Sequence, residues 1–210
     1  MVMNLKDVGM KNGQQYEVIL TTRNKDNTRN AAPFGTIAKG NNQIVNRIFE
    51  GSKTLENILE NKEFYVNITS NPLYFTLSLL NNIPDEYYES EDSLILNNID
   101  AYFKASVNDT KKLIKKDDPI RPVETVYICS DVDEIVKNKT DVIAMNRGIH
   151  CIIESLVNYS RVDKVDDEKR EYYLDRFREN ERVINKVGSA EDKEAINLIK
   201  ESLNNKGYEI

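Results

Sequence analysis

The chain has 210 residues, enough for one elaborated domain or two small ones, and enough to bury a core without disulfide or metal staples. Its 29 Lys and Arg against 35 Asp and Glu leave a net charge of −6, which argues against a nucleic-acid-binding or membrane-surface protein, both of which are normally basic. No apolar run approaches the roughly 20 residues of a membrane span, and the first ten residues lack the apolar segment of a secretory signal. The two cysteines, Cys129 and Cys151, have no closely spaced partner and read as reduced, buried thiols of a cytosolic protein.

Residues 1 to 14 read as a loose lead-in, rich in glycine and polar residues. Tyr16 to Thr22 is β-branched and partly alternating, which predicts a strand. Asn24-Lys25-Asp26-Asn27 has the chemistry of a hairpin turn. A second strand is predicted over Ala31 to Ile37, with Pro33 marking an edge, a bulge or a strand start. After the turn Gly40-Asn41-Asn42, Gln43 to Phe49 is a third strand, so the three form an antiparallel meander. A short helix follows over Ser52 to Asn61, then a strand over Glu63 to Thr69. Asn71-Pro72 opens another helix, with Phe75, Leu79 and Leu80 on one face. Residues 81 to 98 carry the acidic run from Asp85 to Asp92 and read as a solvated loop or insertion.

Two further strands are predicted at Ile99 to Val107 and Val123 to Ser130, with the charged stretch from Lys111 to Asp118 as an exposed loop between them. From Asp141 the period becomes helical. Val142, Ile143, Ile149, Ile152, Ile153, Leu156 and Val157 form one stripe, with Asp141 as candidate N-cap. Two more helices are predicted, from about Asp166 to Val187 and from Ala190 to Asn205, separated by Gly188-Ser189. A β-rich front half and a helical tail define an α+β chain.

The informative chemistry lies at the start of the first helix. Ser52 is a plausible N-cap, yet Lys53 stands where a first turn prefers an acid, and Arg47 lies just upstream. A cationic, hydroxyl-bearing helix start suits a docked anion, phosphate above all. The alternative is a capped surface helix with a solvated lysine. Elsewhere the familiar catalytic signatures are missing. His150 is the one histidine and no Cys-x-x-Cys pair exists, so zinc ligation is excluded on ligand count. There is no Walker loop, nucleophile elbow or dinucleotide fingerprint. Catalysis, if present, would be carried by a bound cofactor.

Taken in order, the strand–turn–Asn30-Ala31-Ala32-Pro33-Phe34-Gly35 segment, the run Arg47-Ile48-Phe49-Glu50-Gly51-Ser52-Lys53-Thr54-Leu55-Glu56-Asn57-Ile58 and Phe64-Tyr65-Val66-Asn67-Ile68-Thr69 resemble the flavin-reductase-like FMN-binding split barrels. The likeness is greatest to the archaeal branch of unassigned function, and it covers roughly residues 14 to 135. Met145-Asn146-Arg147-Gly148, Ile153-Glu154-Ser155-Leu156-Val157 and Ser160-Arg161 look like that branch's helical tail.

The resemblance implies a six-stranded, mostly antiparallel, Greek-key-like barrel with a helical region, residues 136 to 210, packed on it. It also implies a homodimer with FMN near the subunit interface. On it, Asn30, Ala31, Ala32, Pro33, Phe34 and Gly35 would contact the flavin ring and ribityl chain, although Ala31-Ala32-Pro33 also reads as a tight strand corner. Arg47, Ser52, Lys53 and Thr54 would hold the phosphate, with Asn57 one turn further on. Asn67 is either a flavin contact or a strand-end residue bonding the backbone. Asn146, Arg147 and Arg161 would either pair with carboxylates such as Glu154 or bind substrate or phosphate across the dimer. Asn158 stands where the branch often carries a histidine.

The first functional expectation is an FMN-dependent oxidoreductase reduced by a nicotinamide or deazaflavin donor. A non-enzymatic FMN-storing or FMN-sensing protein is the second. A structural partner docking through the acidic loop is the third.

Overall fold

The computed structural model describes residues 4–80, 83–114 and 124–210 and divides the chain into two compact units, Met1–Met145 and Asn146–Ile210. In the first unit, six strands close a barrel in the order β1-β2-β3-β6-β5-β4, with every neighbouring pair antiparallel. The strands are β1 (Gln15–Arg23), β2 (Arg29–Lys39), β3 (Gln43–Phe49), β4 (Glu63–Ile68), β5 (Ala101–Ile114) and β6 (Glu124–Lys137). This is the α+β split barrel that the resemblance implied.

The period-two pattern sends Val18, Leu20, Ile44, Ile48, Phe64, Val66, Ile68, Phe103, Val126 and Ile128 inward, all of them buried. Truncating one of the largest, Phe103→Ala, would cost about 3–5 kcal/mol through lost burial and the cavity left behind.

The lead-in is not loose. Leu5–Val8 forms a short 3-10 turn capped by Asn4, and Leu5, Val8 and Met10 are fully buried in the barrel core. Gly9 permits the tight passage, because its φ is +75° and a Cβ there would lie 3.0 Å from the Ile143 backbone.

The hairpin β1–β2 pairs along its whole length, Gln15 to Arg23 against Ile37 to Arg29. On its other side β2 pairs with β3 only through Thr36 to Lys39. The first half of β2 therefore has a strand partner on one side only. Pro33 falls in that half, where its missing N–H costs no second ladder bond.

After β3 the chain turns at Gly51, whose φ of +83° favours glycine, into α1 (Lys53–Asn61). α2 (Pro72–Leu79) starts at the N-cap Asn71, but its buried residues are Tyr74 and Ser78. Leu79 and Leu80, expected to face inward, are 68% and 60% exposed. The helix is too short and too uniformly apolar for its pattern to name a face.

Residues 83–100 also depart from expectation. They form a strap whose acidic side chains from Asp85 to Asp92 are exposed while Tyr88, Leu96 and Ile99 are buried with Ile19, Ala31 and Tyr74. This covers the outer face of β1, which is why Ile19 and Thr21 are as buried as its inward residues. β5 and β6 are longer than expected: Lys111 and Lys112 continue β5 opposite Tyr127 and Val126. The rest of the expected loop, residues 115 to 118, lies outside the described residues.

The helix expected from Asp141 begins only at Gly148. Val142 and Ala144 join the barrel core, and Met145 bridges Glu17, so this stretch follows the extended period and the units divide at 145/146 rather than 135/136. Asp141 is therefore not an N-cap.

The second unit holds α3 (Gly148–Tyr159), α4 (Asp167–Val187) and α5 (Ala190–Asn205) around Ile152, Leu174, Phe177, Ile184, Ile196 and Leu203. Asp166 caps α4, and Ser189 with Asp192 makes a reciprocal capping box on α5. Gly188 ends α4 with an extended backbone, φ −69°, rather than a left-handed one. Among the described residues no helix is long and apolar enough to cross a membrane.

Candidate functional site

The two stretches singled out in the sequence converge at the turn end of the β1–β2 hairpin. Asn30 and Ala31 of β2 and Lys53 of α1 line one cleft of about 410 Å³, together with Asn24, Thr28, Arg29, Ser78, Ile83 and Tyr88. That volume falls within the roughly 300–1,000 Å³ of small-molecule and cofactor sites.

The wall of this cleft is braced by an amide–hydroxyl network. Asn30 Nδ2 donates to Thr22 Oγ1 at 3.1 Å and to Thr54 Oγ1 at 3.0 Å. Asn57 Nδ2 donates to Thr22 Oγ1 at 2.9 Å and to Asn24 Oδ1 at 2.8 Å. Thr22, Asn30, Thr54 and Asn57 are all buried. Their bonds clamp the first turns of α1 against the hairpin, fixing where the helix start points. Ser52 caps α1 by accepting the Leu55 N–H at 3.3 Å, and its own carbonyl takes the Glu56 N–H.

The cations stand differently. Lys53 is exposed, and among the described residues no carboxylate lies within ion-pair distance of it. Its charge helps to hold the Asp26 carboxyl below its usual range, though hydrogen bonds from Thr28 are the main cause. Arg29 was not singled out in the sequence. Its side chain is only 10% exposed, its guanidinium carbon lies 4.1 Å from the centre of the Tyr88 ring, and it pairs with Asp85. Tyr88 is buried, and burial pushes its hydroxyl up to about 12 against the weaker opposing pull of Arg29.

Arg47 does not line this cleft. Strand alternation turns Ile48 inward and Arg47 outward, where its guanidinium lies 5.3 Å from the centre of the Tyr127 ring. Asn67 is fully buried and engaged. Its Nδ2 donates to Thr21 Oγ1 at 2.9 Å, and its Oδ1 accepts the Leu96 N–H at 2.9 Å, which pins the strap to the barrel. Ala32, Pro33, Phe34 and Gly35 are half-buried along the part of β2 that lacks a β3 partner, with Phe34 packed on the barrel core.

In the second unit Asn146 serves the backbone, donating to the Val187 carbonyl at 2.8 Å and accepting the Gly148 N–H. Glu154 pairs with Arg176 at 3.1 Å. Arg161 and His150 are exposed, and Asn158 is buried among Ser155, Tyr159, Leu174 and Phe177. Burial pushes the Cys151 thiol up, away from the thiolate a nucleophile needs. Among the described residues no cluster of three or more His, Cys, Asp or Glu could hold a metal ion.

The closed six-stranded barrel, with a second strand that lacks a β3 partner over its first half and a cationic helix start beside it, defines a split-barrel protein. The chain belongs to the family described as protein of unknown function (DUF447): residues 16–144 match its N-terminal domain and residues 146–201 its C-terminal part. An uncharacterized protein of Methanocaldococcus jannaschii is 25% identical over 193 residues, covering 90% of this chain and 97% of that one. Among solved structures, the crystal structure of an FMN-bound protein of the same family from Methanosarcina mazei is 25% identical. It has a TM-score of 0.51 and covers 95% of this chain and all of that one. The styrene monooxygenase flavin reductase of Pseudomonas putida S12 is 11% identical at a TM-score of 0.47, covering 59% and 82%.

Proposed function

We propose that this chain is an FMN-binding flavoprotein. In this reading the FMN phosphate sits in the cleft at Lys53 and the start of α1, and the ring lies along Ala31 to Gly35 of β2. The observation that carries the reading is the meeting, in one cleft, of the cationic helix start with the half of β2 that lacks a β3 partner. The donor set suits the group. Lys53 supplies charge, the first-turn N–H groups of α1 supply the partial positive end of the helix, and the phosphate is an anion. The small side chains of Ala31 and Ala32 let backbone N–H and C=O groups approach a planar ring edge closely. The FMN-bound relative of the same family supports the choice of ligand.

Thr22, Asn30, Thr54, Asn57 and Asn67 act in this account behind the ligand. Their bonds to one another and to the strap hold the helix start and the cleft wall in place. Arg47 is assigned to the outer wall.

We further propose that the protein is a homodimeric, cytoplasmic oxidoreductase reduced by a nicotinamide or deazaflavin donor. FMN, when bound, supplies the hydride and electron chemistry, so the chain's own residues need only bind, orient and shield it.

The test is an absorbance spectrum of the purified protein before and after adding FMN and gel filtration, followed by anaerobic addition of each donor. Flavin bands that travel with the protein and bleach with one donor support the whole reading. Bands that travel but bleach with neither favour FMN storage or sensing. Failure to retain FMN would overturn the flavin reading.

A further inference from the structure

Arg29 is built into the cleft in a way that holding the strap does not explain. It starts β2 directly opposite Arg23 of β1, and like charges so paired across two strands repel. Its side chain is nine-tenths buried, a costly position for a guanidinium without a close anion. Yet its carboxylate partner, Asp85, is 88% exposed on the strap. With one member in water the pair is screened and offsets little of that cost. It also donates to the Ser90 carbonyl at 3.1 Å and lies over the face of Tyr88. Those bonds use two of the five guanidinium donors, and the group lines the same cleft as Lys53, a wall that does not include Asp85.

We infer that Arg29 is the second cation binding the ligand phosphate, and that Asp85 is the carboxylate with which that phosphate competes. This rests on the reading of the cleft as the FMN phosphate site and adds its specificity residue. A planar guanidinium already stacked on Tyr88 is preorganised for a forked bond to a phosphate. A phosphate dianion inside the cleft is a stronger partner for it than a solvated monoanion at the rim. Occupancy thereby loosens the tie between Arg29 and the strap at Asp85, while the Asn67–Leu96 and Thr21–Leu94 bonds keep the strap's far end in place.

The experiment compares FMN with riboflavin, which lacks the phosphate, by flavin-fluorescence titration of the full chain and its variants. R29A is expected to weaken FMN by about 30-fold and riboflavin by no more than about twofold, with R29K intermediate because it keeps the charge and loses the fork. D85N, at an exposed position, is expected to tighten FMN about threefold and leave riboflavin unchanged, since it removes the competing anion. Equal weakening of both flavins by R29A and R29K would make Arg29 purely structural. Unchanged or weaker FMN binding by D85N would remove the competition. A wild-type chain that binds neither flavin fails the FMN reading itself. The anion claim then stands if pyrophosphate raises the thermal midpoint of wild type and raises that of R29A markedly less, and falls if it raises both equally or neither.

Discussion

Two arginines of the barrel lie over tyrosine rings, and the walls that carry them differ. Arg29 lies 4.1 Å from Tyr88 under the strap, nearly buried, at the mouth of the cleft. Arg47 lies 5.3 Å from Tyr127 on the outer face of β3, exposed, in a cross-strand row that continues to Lys111 on β5. By sequence Arg47 is the natural partner of Lys53, only a turn away, and Arg29 the remote one. In space the pairing reverses, because the pleat of β3 and the turn at Gly51 separate near neighbours while the hairpin brings Arg29 to the helix start. Proximity along the chain is a weak guide to a binding site built from a strand edge and a helix terminus.

The contrast can be broken by substitution, and the effects should fall in order. Lys53→Glu should weaken FMN about a hundredfold, about 3 kcal/mol, by titration, because it replaces attraction to the phosphate with repulsion. Asn57→Ala should leave Thr22 and Asn24 short of a buried partner and cost about 2 kcal/mol in urea unfolding, with a smaller loss of FMN affinity.

Tyr88 gives a pH signature that separates the walls. Burial raises its folded pKa from the reference value of 10.0 to about 12. The folded state thus keeps a proton that the unfolded chain releases. This contribution to stability is complete below pH 10 and is lost as pH rises from 10 through about 12. Stability measured across that window should fall less steeply in Tyr88→Phe than in wild type, and parallel slopes would contradict the buried placement. The smallest effect is expected from Arg47→Ala, within about 0.5 kcal/mol on both folding and FMN binding. A loss matching that of Lys53→Glu would return Arg47 to the phosphate.

Much of the barrel was legible because its strands alternate cleanly. Gln43–Phe49 and Glu63–Ile68 stand where period two puts them, and α1, α4 and α5 begin at or beside residues with recognisable capping chemistry. The failures share a cause, which is tertiary burial overriding local composition. Leu5, Val8 and Met10 fill the barrel from a polar, glycine-containing lead-in. Val142 and Ala144 look helical beside Ile149 and Ile152 but serve the barrel. Tyr88 and Leu96 anchor a strap whose acidic residues advertise a solvated loop.

At the candidate site, the sequence picked out the Asn30–Gly35 and Ser52–Asn57 stretches, from which the fold brings Asn30, Ala31 and Lys53 to one cleft, but not which side chains brace it. Whether an asparagine faces a ligand or a threonine depends on which hydroxyls the fold brings near, and Thr22 and Thr54 reach Asn30 only in the folded hairpin. Arg29 did carry a signal, a cation immediately before the small apolar run of β2, and the strap residues Ile83 and Tyr88 carried none.

The most direct test is a crystal structure of the full chain with FMN. The account predicts the phosphate within hydrogen-bonding distance of Lys53 and Arg29, with the ring along Ala31 to Gly35. A phosphate held by Arg47 on the outer wall, with the cleft beside Lys53 free of ligand, would contradict it.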